Sequence, residues 1–278
     1  MFNKHPKGLI AAALANLGER FGFYTMMAIL VLFLQAKFGM NGKEAGFIYS
    51  TFYFSIYILA LVGGIIADKT RNYKGTIFTG IVLMAVGYLL LAIPSKTPVD
   101  NKMLYLVITC ASLFVIAFGN GLFKGNLQAL VGQMYDNPQY ANMRDSGFSL
   151  FYMFINIGAI FAPFAAVGVR NWWLSTFGYN YDADLPALCH GQLAGTLSPE
   201  ATETYHTLVT KASTAPVQDY TAFASDYLNV FTTGFHYAFG VAIIAMAISL
   251  TIYWLNKKNF PDPSKKTVAS SASSTVVE

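Results

Sequence analysis

Charge is scarce in this 278-residue chain: Asp, Glu, Lys and Arg together make up 12% of it, about half the quarter usual in soluble globular domains. A water-soluble fold so poor in charge could not cover its surface. Cysteine is nearly absent, with Cys110 in an apolar run and Cys189 in a polar stretch. A bridge between them would have to join two different solvent environments, so a disulfide scaffold is excluded. His5, His190, His206 and His236 are far apart; none stands at i, i+4 from another or beside a cysteine, and no metal-site spacing results. The 18 Lys and Arg give a net charge of +4 but are scattered, which speaks against a nucleic-acid partner.

What the chain has is hydrophobicity: 55% hydrophobic and 15% aromatic residues, with a mean hydropathy of +0.45. Apolar runs of membrane-spanning length recur, since about 20 helical residues cross the hydrocarbon core. Six spans are predicted, at 8–36, 45–67, 75–93, 103–131, 146–169 and 231–255. The expectation is an all-α, polytopic membrane protein in the lipid bilayer. Connectors rich in Pro, Gly, Asn and Asp separate most spans. The stretch 170–230 is too polar to be embedded and too long to be a turn, and is predicted to be an extracytoplasmic insertion. Four regions follow: spans one to five over 1–169, the insertion over 170–230, span six over 231–256, and a cytoplasmic linker or tail over 257–278.

Orientation follows from Lys and Arg near the span ends. With the N-terminus in the cytoplasm, ten of these residues fall inside, among them Lys69, Arg71, Lys74 and Arg144. Six fall outside: Lys37, Lys43, Lys96, Lys102, Arg170 and Lys211. Both termini are therefore expected on the cytoplasmic side of the cytoplasmic membrane.

Three charges fall inside spans: Glu19, Arg20 and Lys124. A charge at mid-depth costs at least about 2.5 to 3.5 kcal/mol on insertion scales, so such residues usually face a polar cavity and serve a pathway. Asn16, Glu19, Arg20, Phe23 and Tyr24 share one helical face. That face cannot look at lipid. Arg20 lies about 12 residues, roughly 18 Å of helix, from the start of its span. Glycines at 119, 121 and 125 surround the lysine, and small residues let neighbouring helices approach. The competing reading is structural, with Glu19 neutralising Arg20 or Lys124 to staple the bundle. The segment Gly119 to Gly125 lacks the ending of a phosphate loop and a preceding strand, so a nucleotide site is not expected.

At these residues the sequence resembles the proton-dependent oligopeptide transporter family of the major facilitator superfamily. Asn16-Leu17-Gly18-Glu19-Arg20-Phe21 is similar to the family's Glu-x-x-Glu-Arg-Phe motif, and Gly63 to Lys69 to its loop between helices two and three. Gly119 to Tyr135, with Lys124, resembles the fourth-helix lysine motif, and Phe151 to Gly158 the fifth-helix signature. The resemblance implies a six-helix N-terminal bundle, built as two three-helix repeats, of a transporter whose second six-helix bundle would lie in cis or in trans.

The resemblance also implies roles. Arg20 and Lys124 would hold a peptide carboxylate, Glu19 would take part in proton coupling and in a salt-bridge network between helices one and four, and Tyr24, Tyr57 and Asn156 would line the peptide site. The activity implied is proton-coupled symport of di- and tripeptides, with protons as the coupling ion and no other cofactor. A carboxylate entering low dielectric needs fixed cationic donors, and Arg offers a bidentate fork. Two positions depart from the family: Asn16, an amide that cannot titrate, replaces the first glutamate and leaves the proton stoichiometry open, and Gly125 stands where a proline is common. A second function class is a membrane-anchored interaction protein whose outside insertion binds a partner. An enzyme is not expected, because no nucleophile, base and orienting group can be assembled from the spacings.

Overall fold

The computed structural model describes residues 4–261; most of the predicted tail, 262–278, lies outside the described residues. Six helices are long and apolar enough to cross a membrane: α1 (Lys7–Phe38), α2 (Gly42–Thr70), α3 (Tyr73–Ala92), α4 (Lys102–Met134), α5 (Arg144–Thr176) and α8 (Tyr220–Asn256). Two short helices, α6 (Leu185–Ala194) and α7 (Pro199–Ala212), lie between α5 and α8.

Local chemistry sets several boundaries. Asn41 caps α2 by accepting from the Lys43 and Glu44 amides, while the Glu44 carboxylate accepts from the Asn41 amide. This reciprocal box satisfies N–H groups that the first helical turn leaves unpaired. Gly39, with φ at +60°, ends α1, a left-handed position where a side chain would be strained.

The buried helix is α1, with two-thirds of its most apolar stretch inside the protein, against about a fifth for α2 and for α5. It packs between α5 and α8, α4 packs between α2 and α3, and α3 also meets α8. Glycine permits the closest of these approaches. A Cβ at Gly121 would fall 2.5 Å from the Leu59 carbonyl group of α2, and one at Gly119 would fall 2.7 Å from the Gly80 carbonyl oxygen of α3. The two glycines point to opposite sides of α4, and small residues let backbones come together where lipid supplies no hydrophobic drive.

The helices flanking the predicted insertion run further than the apolar runs. The fifth continues through Thr176 and the last begins at Tyr220, so both reach into 170–230. Arg170, assigned by sequence to the outside loop, is a buried helical residue whose guanidinium lies 3.7 Å from the Tyr181 ring centroid. The rest of the insertion docks onto the end of the bundle where α1 finishes. His190 Nε2 donates to the Ala36 carbonyl at 2.8 Å, Tyr179 donates to Asp226 at 2.6 Å, and Tyr205 donates to the Tyr220 carbonyl at 2.7 Å.

Within this cap Cys189 is fully buried, and burial pushes its thiol up to about 12. Thiolate is the reactive form, so at pH 8 labelling should run more than about a hundredfold slower than for an ordinary thiol. In a Cys110→Ser background, maleimide is expected to spare Cys189 until the protein is denatured. Rapid labelling of the folded chain would show that the cap opens.

Candidate functional site

The core of the site begins with two adjacent residues of α1. Arg20 grips Glu19 with two bonds, Nε to Oε2 at 2.5 Å and Nη2 to Oε1 at 2.7 Å. Glu19 is wholly buried and Arg20 nearly so, with its guanidinium 4.8 Å from the Phe23 ring centroid. A bidentate pair of this kind meets the condition on which buried charge is tolerated. The carboxylate has a third donor, Asn120 Nδ2 of α4, at 2.8 Å.

The other predicted residues lie on α4, α2, α1 and α5. Lys124, one turn beyond Asn120, is half-buried, and its ammonium lies 5.6 Å from the Tyr57 ring centroid. Tyr57 is exposed on α2 and donates to the Tyr53 hydroxyl at 3.1 Å. Tyr24 is half-buried on α1 and meets Phe23 edge-on at 5.4 Å. Asn156 is exposed on α5, two residues before Gly158, where α5 crosses α1 beside Arg20.

One element of the expected arrangement differs. The link between helices one and four is an amide-to-carboxylate hydrogen bond from Asn120, whereas among the described residues Lys124 forms no ion pair. Asn120 and Lys124 stand at i and i+4 on α4, and it is the amide that reaches the buried carboxylate while the ammonium lies over the tyrosine of α2. Asn126, in the same helix, ties α4 to α2 by donating to the Gly63 carbonyl at 3.0 Å.

Sequence reasoning passed over Asn120, a neutral residue within a glycine-rich run. It also counted Lys37 as an outside orientation charge. Lys37 is 2% exposed, and its ammonium donates to the Ser95 carbonyl at 2.5 Å, the Thr97 hydroxyl at 2.8 Å and the Lys96 carbonyl at 3.3 Å, pinning the α3–α4 connector to α1. The only signal for either was position, Asn120 within an apolar span and Lys37 at the edge of one, where a polar side chain needs partners.

The model of the POT family matches residues 74–277. The chain belongs to the POT family. This POT-family chain is 34% identical over 185 residues to the peptide transporter YePEPT of Yersinia enterocolitica, covering 65% of the chain and 34% of that protein. It is 34% identical over 179 residues to dipeptide and tripeptide permease A of an Enterobacter species, covering 64% of the chain and 32% of the permease. A crystal structure of the peptide transporter POT in complex with sulfate superposes with a TM-score of 0.61 at 25% identity, over 98% of this chain and 45% of that one. The chain thus spans about a third of the length of these curated relatives. It is a multi-pass membrane protein with the major facilitator superfamily fold, as its family predicts, and its family is one of transporters.

Proposed function

We propose that this chain is the N-terminal half of a proton-coupled symporter of di- and tripeptides. The observation that carries the reading is the buried Glu19–Arg20 pair at the heart of a membrane bundle, with Lys124 close by and unpaired among the described residues. A guanidinium and an ammonium on neighbouring helices suit a peptide carboxylate, which seeks fixed donors once it leaves water. Glu19 already balances Arg20, so a proton on Glu19 leaves the guanidinium in need of another anion. Protonation and carboxylate binding are thereby coupled through one shared charge. Tyr24, Tyr57 and Asn156 line the site, with protons as the coupling ion.

A second six-helix bundle, in cis or in trans, completes the cleft. Support comes from the apolar faces that α2 and α5 leave uncovered, including Phe54, Leu61, Phe161 and Phe164, and from a chain that aligns with less than half of the solved transporter. The Lys and Arg distribution supports a cytoplasmic side for both termini. The insertion serves as a cap, since Cys189, Tyr205 and Val209 turn inward and are buried.

The test is peptide uptake into proteoliposomes by the full-length transporter that contains this half. A hydrogen bond to a charged group contributes about 1.5–3 kcal/mol. Lys124→Ala should therefore weaken peptide binding roughly ten- to a hundredfold, and peptides with amidated C-termini should compete poorly. Undiminished uptake by Lys124→Ala would remove the carboxylate assignment.

A further inference from the structure

Two polar atoms in the core beside Glu19 lack a hydrogen-bond partner among the described residues: the Tyr88 hydroxyl and Asn120 Oδ1. Both residues are 0% exposed. They belong to one cluster. Asn120 Nδ2 reaches Met84 Sδ of α3 at 3.9 Å as well as Glu19. Tyr88 lies one turn further along the same face of α3, within Coulombic reach of both Glu19 and Arg20. Buried polar groups normally find partners, so an orphaned hydroxyl and an orphaned amide oxygen in one cluster call for an account.

Their donor and acceptor inventory supplies it. An ionised carboxylate only accepts, and a protonated one also donates. An amide presents a donor on one side and an acceptor on the other, and turning it through about 180° exchanges them with almost no change in shape. A tyrosine hydroxyl can donate or accept. We propose that Glu19, Asn120 and Tyr88 form a reversible hydrogen-bond chain across α1, α4 and α3 whose polarity follows the protonation state of Glu19.

With Glu19 ionised, Asn120 Nδ2 donates to it, and Oδ1, which makes no direct bond to Tyr88, accepts from its hydroxyl through one water. When Glu19 takes a proton from the aqueous cleft, the new O–H donates to Oδ1 of the turned amide, and Nδ2 donates to the Tyr88 oxygen. An O–H bond of hydronium breaks as the one on the carboxyl forms, and the carboxyl O–H breaks in turn when its proton leaves to water on the other side. The chain keeps the carboxyl, the amide and the hydroxyl satisfied in both states, so the carboxyl can give up its hold on Arg20 and leave the guanidinium to the peptide carboxylate. Asn120 and Tyr88 are positioning residues acting through Glu19, and their role in coupling rests on the symport reading above.

The experiment compares proton-driven peptide accumulation with peptide counterflow, which needs no net proton movement, in proteoliposomes of the full-length transporter. Asn120→Leu should lower driven accumulation about tenfold and counterflow no more than twofold, and Asn120→Ser, whose hydroxyl both donates and accepts, should restore part of the loss. Tyr88→Phe should show the same split to a smaller degree, and it decides the matter if Asn120→Leu does not fold. An equal fall in both modes by folded protein, or no fall in either, overturns the proposal. Absence of peptide counterflow in the unsubstituted transporter is instead a failure of the symport reading. The chain is then judged in this protein by infrared spectroscopy of the protonated Glu19 carbonyl, identified by its loss in Glu19→Gln. Its band should move to higher frequency in Asn120→Leu as a hydrogen bond is lost, and an unmoved band overturns the chain.

Discussion

Glu19→Ala is expected to deplete the folded protein in detergent or bilayer, even in assays that ask nothing of transport. The substitution removes the counter-charge of Arg20, the only one among the described residues, and Arg20 is buried with Nε and Nη2 both committed to the carboxylate. Breaking a buried pair from one side costs about 3–5 kcal/mol, because an uncompensated charge remains in low dielectric. Replacing both partners with apolar residues of similar volume is far milder. Glu19→Leu combined with Arg20→Met should thus recover most of the lost folded fraction. The Asn120 amide would still lack its acceptor, at about 1–3 kcal/mol. Thermal unfolding of the three proteins, followed by size-exclusion profile, measures this directly. A double variant as unstable as Glu19→Ala would show that the pair staples the bundle through its hydrogen bonds rather than through charge balance. A double variant that folds well yet moves no peptide in the full-length transporter would assign the pair to transport.

The same cluster marks how far the sequence could be read. Six spans and the all-helical class follow from apolar runs, since a backbone in lipid must satisfy its own hydrogen bonds and a helix of about 20 residues is the economical way to do so. Helix ends beyond the hydrocarbon depth are invisible to hydropathy. The aromatic and polar residues of 171–176 continue α5, and those of 220–230 open α8, because helical hydrogen bonding does not stop where the lipid does. Charge counting near span ends takes Lys37 and Arg170 as outside charges and is blind to their burial for a related reason: it treats a cation at a helix end as solvated. Each is buried instead, the lysine against carbonyls and a hydroxyl, and the arginine against Tyr181. Glu19 and Arg20 were legible because an ionised side chain in an apolar span demands an explanation. Asn120 and Tyr88 were not, because a neutral amide or phenol becomes informative only when its neighbours are known.

Gly121→Leu should be nearly as damaging as the loss of Glu19, through packing alone. Leu59 of α2 lies where any side chain at 121 would go, its carbonyl carbon and oxygen both 2.5 Å from an added Cβ. From the other side, a Cβ at Gly63 would clash with the Gly121 carbonyl. Backbone cannot turn aside as a flexible side chain can, so α2 and α4 must separate. Overpacking a well-filled core typically costs about 1–3 kcal/mol, and separation also removes the Asn126 bond to the Gly63 carbonyl, worth about 1 kcal/mol. Gly125 is the internal control: it occupies the same helix one turn away and has nothing within 4 Å of an added Cβ. Gly125→Ala should leave the folded fraction unchanged or raise it slightly, since alanine favours helix by roughly 1 kcal/mol over glycine. Folded yield and melting temperature should therefore rise steeply from Gly121→Leu through Gly121→Ala to Gly125→Ala. Equal tolerance at 121 and 125 would mean that α2 does not pass this close to α4. Lys124 would then lose its fixed relation to Tyr57, since the same crossing sets both.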